Sequence, residues 1–232
     1  MHLVFSADFG GASLDQSIWS TCYPWGDDGS GCTNFGNPEV QWYVPSQIQV
    51  DGDALHLVAS KDPTRGKAQD GSGKTYPWRS GMVTTYRSLQ FTYGLVEVDA
   101  RIPRGDGLWT TLWLLPQDQS FPPEIDIAEV YGVDTKQLSV VYHAAPSGRS
   151  FKTVDTDDLS TSFHRYAVDW EPDSITWYLD GRPVYEYRGR TPAQPMYFLA
   201  NLAVANVFGS GPTAATPSPT SLDVRSVNIY QH

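Results

Sequence analysis

The sequence predicts an all-β fold in which two packed antiparallel sheets form a sandwich or jelly roll. Apolar residues recur at every second position, and Gly, Pro and Asp separate the strand-like stretches at regular intervals. No segment keeps a helical period over three turns. About a dozen strands are expected on these grounds. A chain of 232 residues fits a single domain spanning 1–232, because β-sandwiches commonly reach this size as one unit.

The predicted strands follow one another along the whole chain. The clearest are Leu3–Phe5, Gln47–Val50, Leu55–Val58, Leu95–Pro103, Phe163–Trp170, Ser174–Leu179 and Leu222–Tyr230. Asp180-Gly181 is a typical hairpin turn, so the strands on either side of it should pair. The polar, Gly-rich segment Lys61–Pro77 predicts a surface loop.

Composition and charge limit the possible partners. The formal net charge is −10, so the chain should repel the phosphate backbone of nucleic acids and anionic membrane surfaces. A neutral substrate is the natural fit. The longest nearly apolar stretch, Met196–Phe208, has thirteen residues, which is too short to cross a bilayer and favours a buried strand. We expect no nucleic-acid partner, no membrane span and a monomer.

The two cysteines lie ten residues apart in a turn-rich segment. In an exported protein Cys22 and Cys32 would form a disulfide, whereas in a reducing compartment they would remain free thiols. A zinc site is disfavoured because the chain has no other cysteine and this segment has no histidine. No signal peptide is visible before the first strand. We expect a secreted protein whose signal peptide is absent from this sequence.

Three carboxylates lie within six residues of an otherwise apolar strand. Glu124 and Asp126 share a face, and one β-bulge near Ala128 would bring Glu129 to the same face. The two glutamates would then be roughly 13 Å apart along the strand, and could lean to the ~5–5.5 Å of a retaining glycosidase pair. An exposed polar face is the alternative. It is disfavoured because no Lys or Arg lies between positions 107 and 135 to offset the repulsion.

These residues carry a family resemblance. Glu124 to Glu129, Glu-Ile-Asp-Ile-Ala-Glu, resembles the active-site signature of glycoside hydrolase family 16 in its bulged, laminarinase-like form. Asn37–Tyr43 resembles the family's Asn-x-Glu-x-x-x-Tyr, and Gly105–Pro116 resembles its two-tryptophan strand. His143 resembles the family's histidine on the next strand. The resemblance implies a concanavalin-like β-sandwich jelly roll with a long substrate cleft on one sheet.

The resemblance also implies roles and an activity. Glu124 would be the nucleophile, Glu129 the acid and base, and Asp126 would lie between them to tune both. The implied function is a retaining endo-β-glucanase that hydrolyses internal β-1,3 bonds of laminarin-like polysaccharides without a catalytic cofactor. Alternatives are another β-glycan (mixed-linkage glucan, galactan or exopolysaccharide), transglycosylation, or a lectin-like binding module. A binding module would have no reason to keep all three carboxylates.

Further residues are candidates for sugar binding. Trp109 and Trp113 share a strand face and could stack on the C–H faces of pyranose rings, although core packing is the alternative. Polar side chains that could hydrogen-bond sugar hydroxyls are Asn37, Glu39, Arg79 and His143. For these, a loop turn, a solvated charge, a surface arginine or a core histidine are the alternatives.

The resemblance further implies a structural calcium ion on the sheet opposite the cleft. Asp223 on the last strand matches the usual carboxylate ligand, and backbone carbonyls near Asp8 would complete the site. Calcium needs six or more oxygen ligands, and the sequence shows one obvious donor.

Overall fold

Strands account for nearly all of the regular structure in the computed structural model, which describes residues 1–144, 148–207, 209 and 211–231. One 3₁₀ turn, Pro45–Gln47, is the sole helical element within those ranges. The strands are β1 (His2–Ala7), β2 (Gln41–Tyr43), β3 (Ile48–Val50), β4 (Leu55–Ala59), β5 (Thr64–Lys67), β6 (Gly73–Tyr76), β7 (Trp78–Ser80), β8 (Met82–Thr84), β9 (Gly94–Arg101), β10 (Leu108–Pro116), β11 (Glu124–Tyr131), β12 (Gln137–Ala144), β13 (Gly148–Asp155), β14 (His164–Trp170), β15 (Ser174–Leu179), β16 (Arg182–Arg188), β17 (Met196–Val204) and β18 (Thr220–Gln231).

Two antiparallel sheets face each other. The site sheet has six strands in the order β13-β12-β11-β10-β17-β8. The back sheet has eight, in the order β16-β15-β14-β9-β18-β4-β3, with β1 also paired to β18. Two small pairs, β2-β7 and β5-β6, complete the pairing. The predicted all-β sandwich of packed antiparallel sheets is confirmed.

The core lies between the two sheets and follows the predicted alternation. On β9, Val96, Val98 and Ala100 are fully buried, while Glu97 and Asp99 on the other face are partly exposed. Burying a valine or leucine side chain in this way contributes roughly 1.5–3 kcal/mol, so the period-two pattern selects which face of each strand turns inward.

Two segments can be compared directly with their predictions. Lys61–Pro77, expected as a loop, contains the hairpin β5-β6. Its strands are short and polar, and Gly66 packs directly against the indole of Trp42, where any side chain would clash. Met196–Phe208 gives a strand as expected, and β17 is buried at every residue. Phe208 itself lies outside the described residues. Within the described ranges, no helix has the length and hydrophobicity needed to cross a membrane.

The disulfide between Cys22 and Cys32 is present, as predicted for an exported protein, with the two Cα atoms 5.8 Å apart. Both cysteines are buried against Tyr43 and Met82 beside the site sheet. The cross-link therefore closes a ten-residue loop at one end of that sheet.

Candidate active site

A β-bulge interrupts strand β11 where the sequence predicts one. Opposite β10, Trp113 pairs with Asp126 and Leu112 pairs with Ala128, so Ile127 is the extra residue. The register with β12 also shifts between positions 126 and 129. Two consecutive residues, Ile127 and Ala128, therefore point into the core, where both are buried.

The bulge places the three acids on one side of the sheet. Glu124, Asp126 and Glu129 all line the same cleft. Without the extra residue, strand periodicity would turn Glu129 toward the back sheet. The structure thus confirms the geometric part of the prediction, that the three carboxylates share a face.

The main-chain turn at the bulge is held from the back sheet. The indole nitrogen of Trp177 on β15 donates a hydrogen bond of 2.8 Å to the backbone carbonyl oxygen of Asp126. Trp177 is fully buried, so this bond lies in the core where water cannot replace it. The sequence gives no sign of this contact with the acidic strand.

The cleft crosses the site sheet and has a volume of about 650 Å³. It begins at Arg149 on β13 and His143 on β12, passes over β11 and Trp109 of β10, and continues past Asn201 of β17. At its other end it reaches the disulfide loop through Trp25. An open trough of this kind can accept a chain-like ligand lying across the strands.

Burial and mutual repulsion raise the pKa values of the acids. Burial and the charge of Asp126 raise the pKa of Glu129 to about 8. Burial, with the charges of Asp126 and Glu129, raises the pKa of Glu124 well above its usual range. Burial also raises the pKa of Asp126, although a hydrogen bond from His143 opposes the change. Glu129 therefore holds a proton at neutral pH, as a general acid requires.

His143 lies where the resemblance places it. It pairs with Glu124 across β11 and β12, and its Nε2 is 3.5 Å from both Glu124 Oε1 and Asp126 Oδ2. Donor atoms of these three side chains lie within 4.8 Å of one another, a spacing that could also hold a metal ion. His143 thus contacts the nucleophile candidate and the central acid at the same time.

The two tryptophans of β10 have different surroundings. Trp109 is half-buried, lines the cleft and stacks on Tyr131 with ring centroids 5.6 Å apart. Trp113 is mostly buried, and its indole nitrogen donates to Asn201 Oδ1 at 2.8 Å. Asn201 Oδ1 also accepts a bond of 2.6 Å from the Thr111 hydroxyl. Trp109 therefore presents a ring face that a ligand can contact. Trp113 forms part of the cleft wall and is held in place by Asn201.

Asn37 and Glu39 both line the cleft. Glu39 is buried and accepts hydrogen bonds from the Asn37 amide at 3.3 Å, the Thr33 hydroxyl at 3.3 Å and the amide of Gln41. Burial raises its pKa, while those hydrogen bonds oppose the change. Arg79 is not among the residues that line the cleft, and its guanidinium pairs with Asp62 at 3.3 Å.

Comparison with known proteins identifies the family. The model of Glycosyl hydrolases family 16 matches residues 37–220. The chain belongs to glycosyl hydrolases family 16. The matched residues include the bulged strand and most of the residues that line the cleft. The family assignment therefore covers the candidate active site.

Relatives within family 16 include proteins of known name. "Endo-1,3-1,4-beta-glycanase EglC" of Rhizobium meliloti (strain 1021) is 31% identical over 97% of this chain and 51% of its own length. "Glucan endo-1,3-beta-glucosidase A1" of Niallia circulans is 30% identical over 100% of this chain and 38% of its own length. The chain thus spans about half or less of these relatives. The laminarinase catalytic domain of Thermotoga maritima MSB8 superposes with a TM-score of 0.86 at 25% identity, covering 100% of this chain and 98% of that one.

The calcium ion expected from the family 16 resemblance does not fit Asp223. One carboxylate oxygen accepts a bond of 2.6 Å from Arg101, and the other lies 2.7 Å from His56 Nδ1 and also accepts from Ser221. Burial opposes ionisation, yet these bonds hold the pKa of Asp223 below its usual value. Because a guanidinium and an imidazole already neutralise and saturate this carboxylate, it has no free oxygen to offer a metal.

Proposed function

We propose that this protein is a retaining endo-β-glucanase that hydrolyses internal β-1,3 bonds of laminarin-like glucans. The observation that carries the proposal is the bulge at Ile127, which brings Glu124, Asp126 and Glu129 to one face of an open cleft. Family membership and the names of the Niallia and Thermotoga relatives support the same activity.

In the first step, a Glu124 carboxylate oxygen attacks the anomeric carbon, and the glycosidic C–O bond breaks. Glu129 gives its proton to the leaving oxygen, which departs as a hydroxyl of the released chain. A pKa of about 8 keeps Glu129 protonated at neutral pH, and the charge of Asp126 contributes to that value. Glu124 must be ionised to attack, so its raised pKa sets the acidic limit of activity.

In the second step, Glu129 acts as a base. It removes a proton from water, the water oxygen bonds to the anomeric carbon, and the ester bond to Glu124 breaks. Two inversions at the same carbon give net retention. The carboxyl groups supply all the proton transfers, so the reaction needs no cofactor.

Contacts with the sugar chain belong to the same proposal. Trp109 would stack on one ring near the cleaved bond, while Asn37, Glu39 and His143 would hydrogen-bond hydroxyls on either side. The disulfide supports secretion, because such bonds persist outside the reducing cytosol. Size-exclusion chromatography of the purified protein tests the expected monomer.

The decisive experiment measures reducing ends released from laminarin by the wild type and by Glu124→Gln. We expect activity in the wild type and a loss of several orders of magnitude in the variant, while β-glucan binding remains. Product anomers followed by NMR should be β at first. Binding by the wild type without release of reducing ends would instead identify a binding module.

Specificity is tested on a polysaccharide panel with product sizing. Mixed-linkage glucan belongs in it because EglC is named for 1,3-1,4 glycans, and galactan and a bacterial exopolysaccharide extend it to β-glycans of different composition. Faster turnover of any of these than of laminarin would contradict the β-1,3 assignment and leave the retaining mechanism intact.

A further inference from the structure

We infer that Trp25, in the loop closed by the Cys22–Cys32 disulfide, is a stacking platform for a distant sugar ring of the bound glucan. The inference rests on the proposed function and deepens it, because it predicts which chain lengths the enzyme prefers. Trp25 is 45% exposed and lines the cleft, although it lies far in sequence from the catalytic strand.

The indole of Trp25 is held flat. It stacks on the ring of Tyr23 with centroids 4.5 Å apart and an interplanar angle of 8°. Tyr23 covers one face of the indole, so the exposed surface is available from the cleft. A flat, open aromatic ring is the surface on which the C–H face of a neutral pyranose packs.

The loop that carries Trp25 is held by the disulfide and by contacts within the protein. Gly26 sits against the disulfide so closely that an added Cβ would lie 2.2 Å from Cys22 Sγ. The Thr21 backbone N–H donates to Asp28 at 2.8 Å, and Asp28 pairs with Arg87 at 2.7 Å. Because the platform is already ordered, binding to it costs little conformational entropy.

A chain of aromatic contacts relates Trp25 to the acids. Trp113 lies opposite Asp126 on the neighbouring strand, and its indole meets the edge of Tyr23 with centroids 6.1 Å apart. The ring of Trp25 is the next in this series, because it stacks on the ring of Tyr23. Two side chains, Trp113 and Tyr23, thus lie between the platform and the catalytic strand, which suits a sugar ring beyond those that flank the cleaved bond.

The lining next to Trp25 suits an uncharged sugar. The segment between the disulfide and β2 brings the amides of Asn34 and Asn37 to the cleft. Amides can donate to and accept from hydroxyl groups without requiring a charge on the ligand. The ligand class is thus a neutral glucosyl unit of a longer chain, and short oligosaccharides would not reach it.

The test compares kcat/KM on laminari-oligosaccharides of increasing length for the wild type, Trp25→Ala and Trp25→Phe. We expect Trp25→Ala to lose about tenfold on long chains, equivalent to about 1.4 kcal/mol, with unchanged kcat/KM on the shortest hydrolysed chains. Trp25→Phe should recover part of the loss. The matched control is Phe35→Ala, because Phe35 is a nearby exposed aromatic that is not among the cleft-lining residues.

A second variant separates the platform from the loop that holds it. Cys22→Ser combined with Cys32→Ser should reproduce the length-dependent loss in weaker form, with the thermal midpoint measured alongside. Equal loss on all lengths, or no loss in Trp25→Ala, would overturn the inference while leaving the proposed function standing. A wild type that cleaves no β-glucan oligosaccharide of any length would contradict both.

Discussion

Removing the positive charge of Arg149 should move the alkaline limb of activity to higher pH. Arg149 lines the cleft on β13, and its charge lowers the pKa values of both Glu129 and Asp126. In Arg149→Met the pKa of Glu129 should rise from about 8, because its ionised form loses an attractive partner. Glu129 would stay protonated, and active as an acid, at more alkaline pH.

The size of the change follows from the sheet. Strands β13 and β11 are two spacings of ~4.8 Å apart, and Arg149 lies four residues along its strand from the position level with Glu129, so their Cα atoms are roughly 16 Å apart. The long side chains, which both line the cleft, shorten the separation of the two charges to roughly 10 Å. Coulomb's law with an effective dielectric constant of ~40 then gives about 0.8 kcal/mol. This corresponds to about 0.6 of a pH unit. Salt should shrink the difference, because Arg149 is exposed.

The assay is kcat/KM on a laminari-oligosaccharide between pH 5 and pH 10, at low and high salt. Lys152→Met is the matched control, because Lys152 lies on the same strand but alternates to the opposite face from Arg149. An unmoved alkaline limb in Arg149→Met, or a shift to lower pH, would refute the assignment of that limb to Glu129.

Three further outcomes follow from side-chain contacts. Asn201→Ala should lower the free energy of unfolding by about 2–5 kcal/mol, since two buried donors lose their acceptor, and should raise KM as Trp113 loosens; urea titration and kinetics measure both. EDTA should leave the thermal midpoint unchanged, because Arg101 and His56 already saturate Asp223. His56→Asn should lower the thermal midpoint more at pH 6 than at pH 9. Burial lowers the pKa of His56, but its bonds to two aspartates raise it overall, so its stabilisation is full below about 6.5 and fades as pH rises through the raised pKa.

Each of these outcomes has a result that would contradict it. A loss below about 1 kcal/mol in Asn201→Ala would mean that water replaces the missing acceptor. A rise of several degrees in the thermal midpoint on adding calcium would restore the metal site. Equal destabilisation of His56→Asn at both pH values would show that this histidine stabilises by packing alone.

Local periodicity was sufficient to predict the sheet faces and the bulge. Glu124 and Glu129 are five residues apart on a largely apolar strand, so a regular strand would place them on opposite faces. One extra residue in the strand brings both to the same face. The cysteine pair was likewise predictable from its short, turn-rich separation. In each case the relevant partners lie within about ten residues of each other.

Long-range partners could not be read from the sequence. Arg101 meets Asp223 across 122 positions, and that contact decides against a calcium ion. The sequence likewise did not indicate that Arg79 forms an ion pair with Asp62. The sequence does not mark Trp25 as a binding surface, because its orientation depends on stacking against the ring of Tyr23.

The hydrogen bond from Trp177 to the Asp126 carbonyl has a practical meaning for engineering. The chemistry on the site sheet therefore depends on a residue of the back sheet, so strand β11 cannot be transferred to another protein by itself. Chimaeras that exchange strands of the back sheet between homologues would need to keep a tryptophan at position 177. A phenylalanine there would fill much of the same volume but would leave the buried carbonyl oxygen of Asp126 without a hydrogen-bond donor. The β-bulge in β11 would then be free to relax.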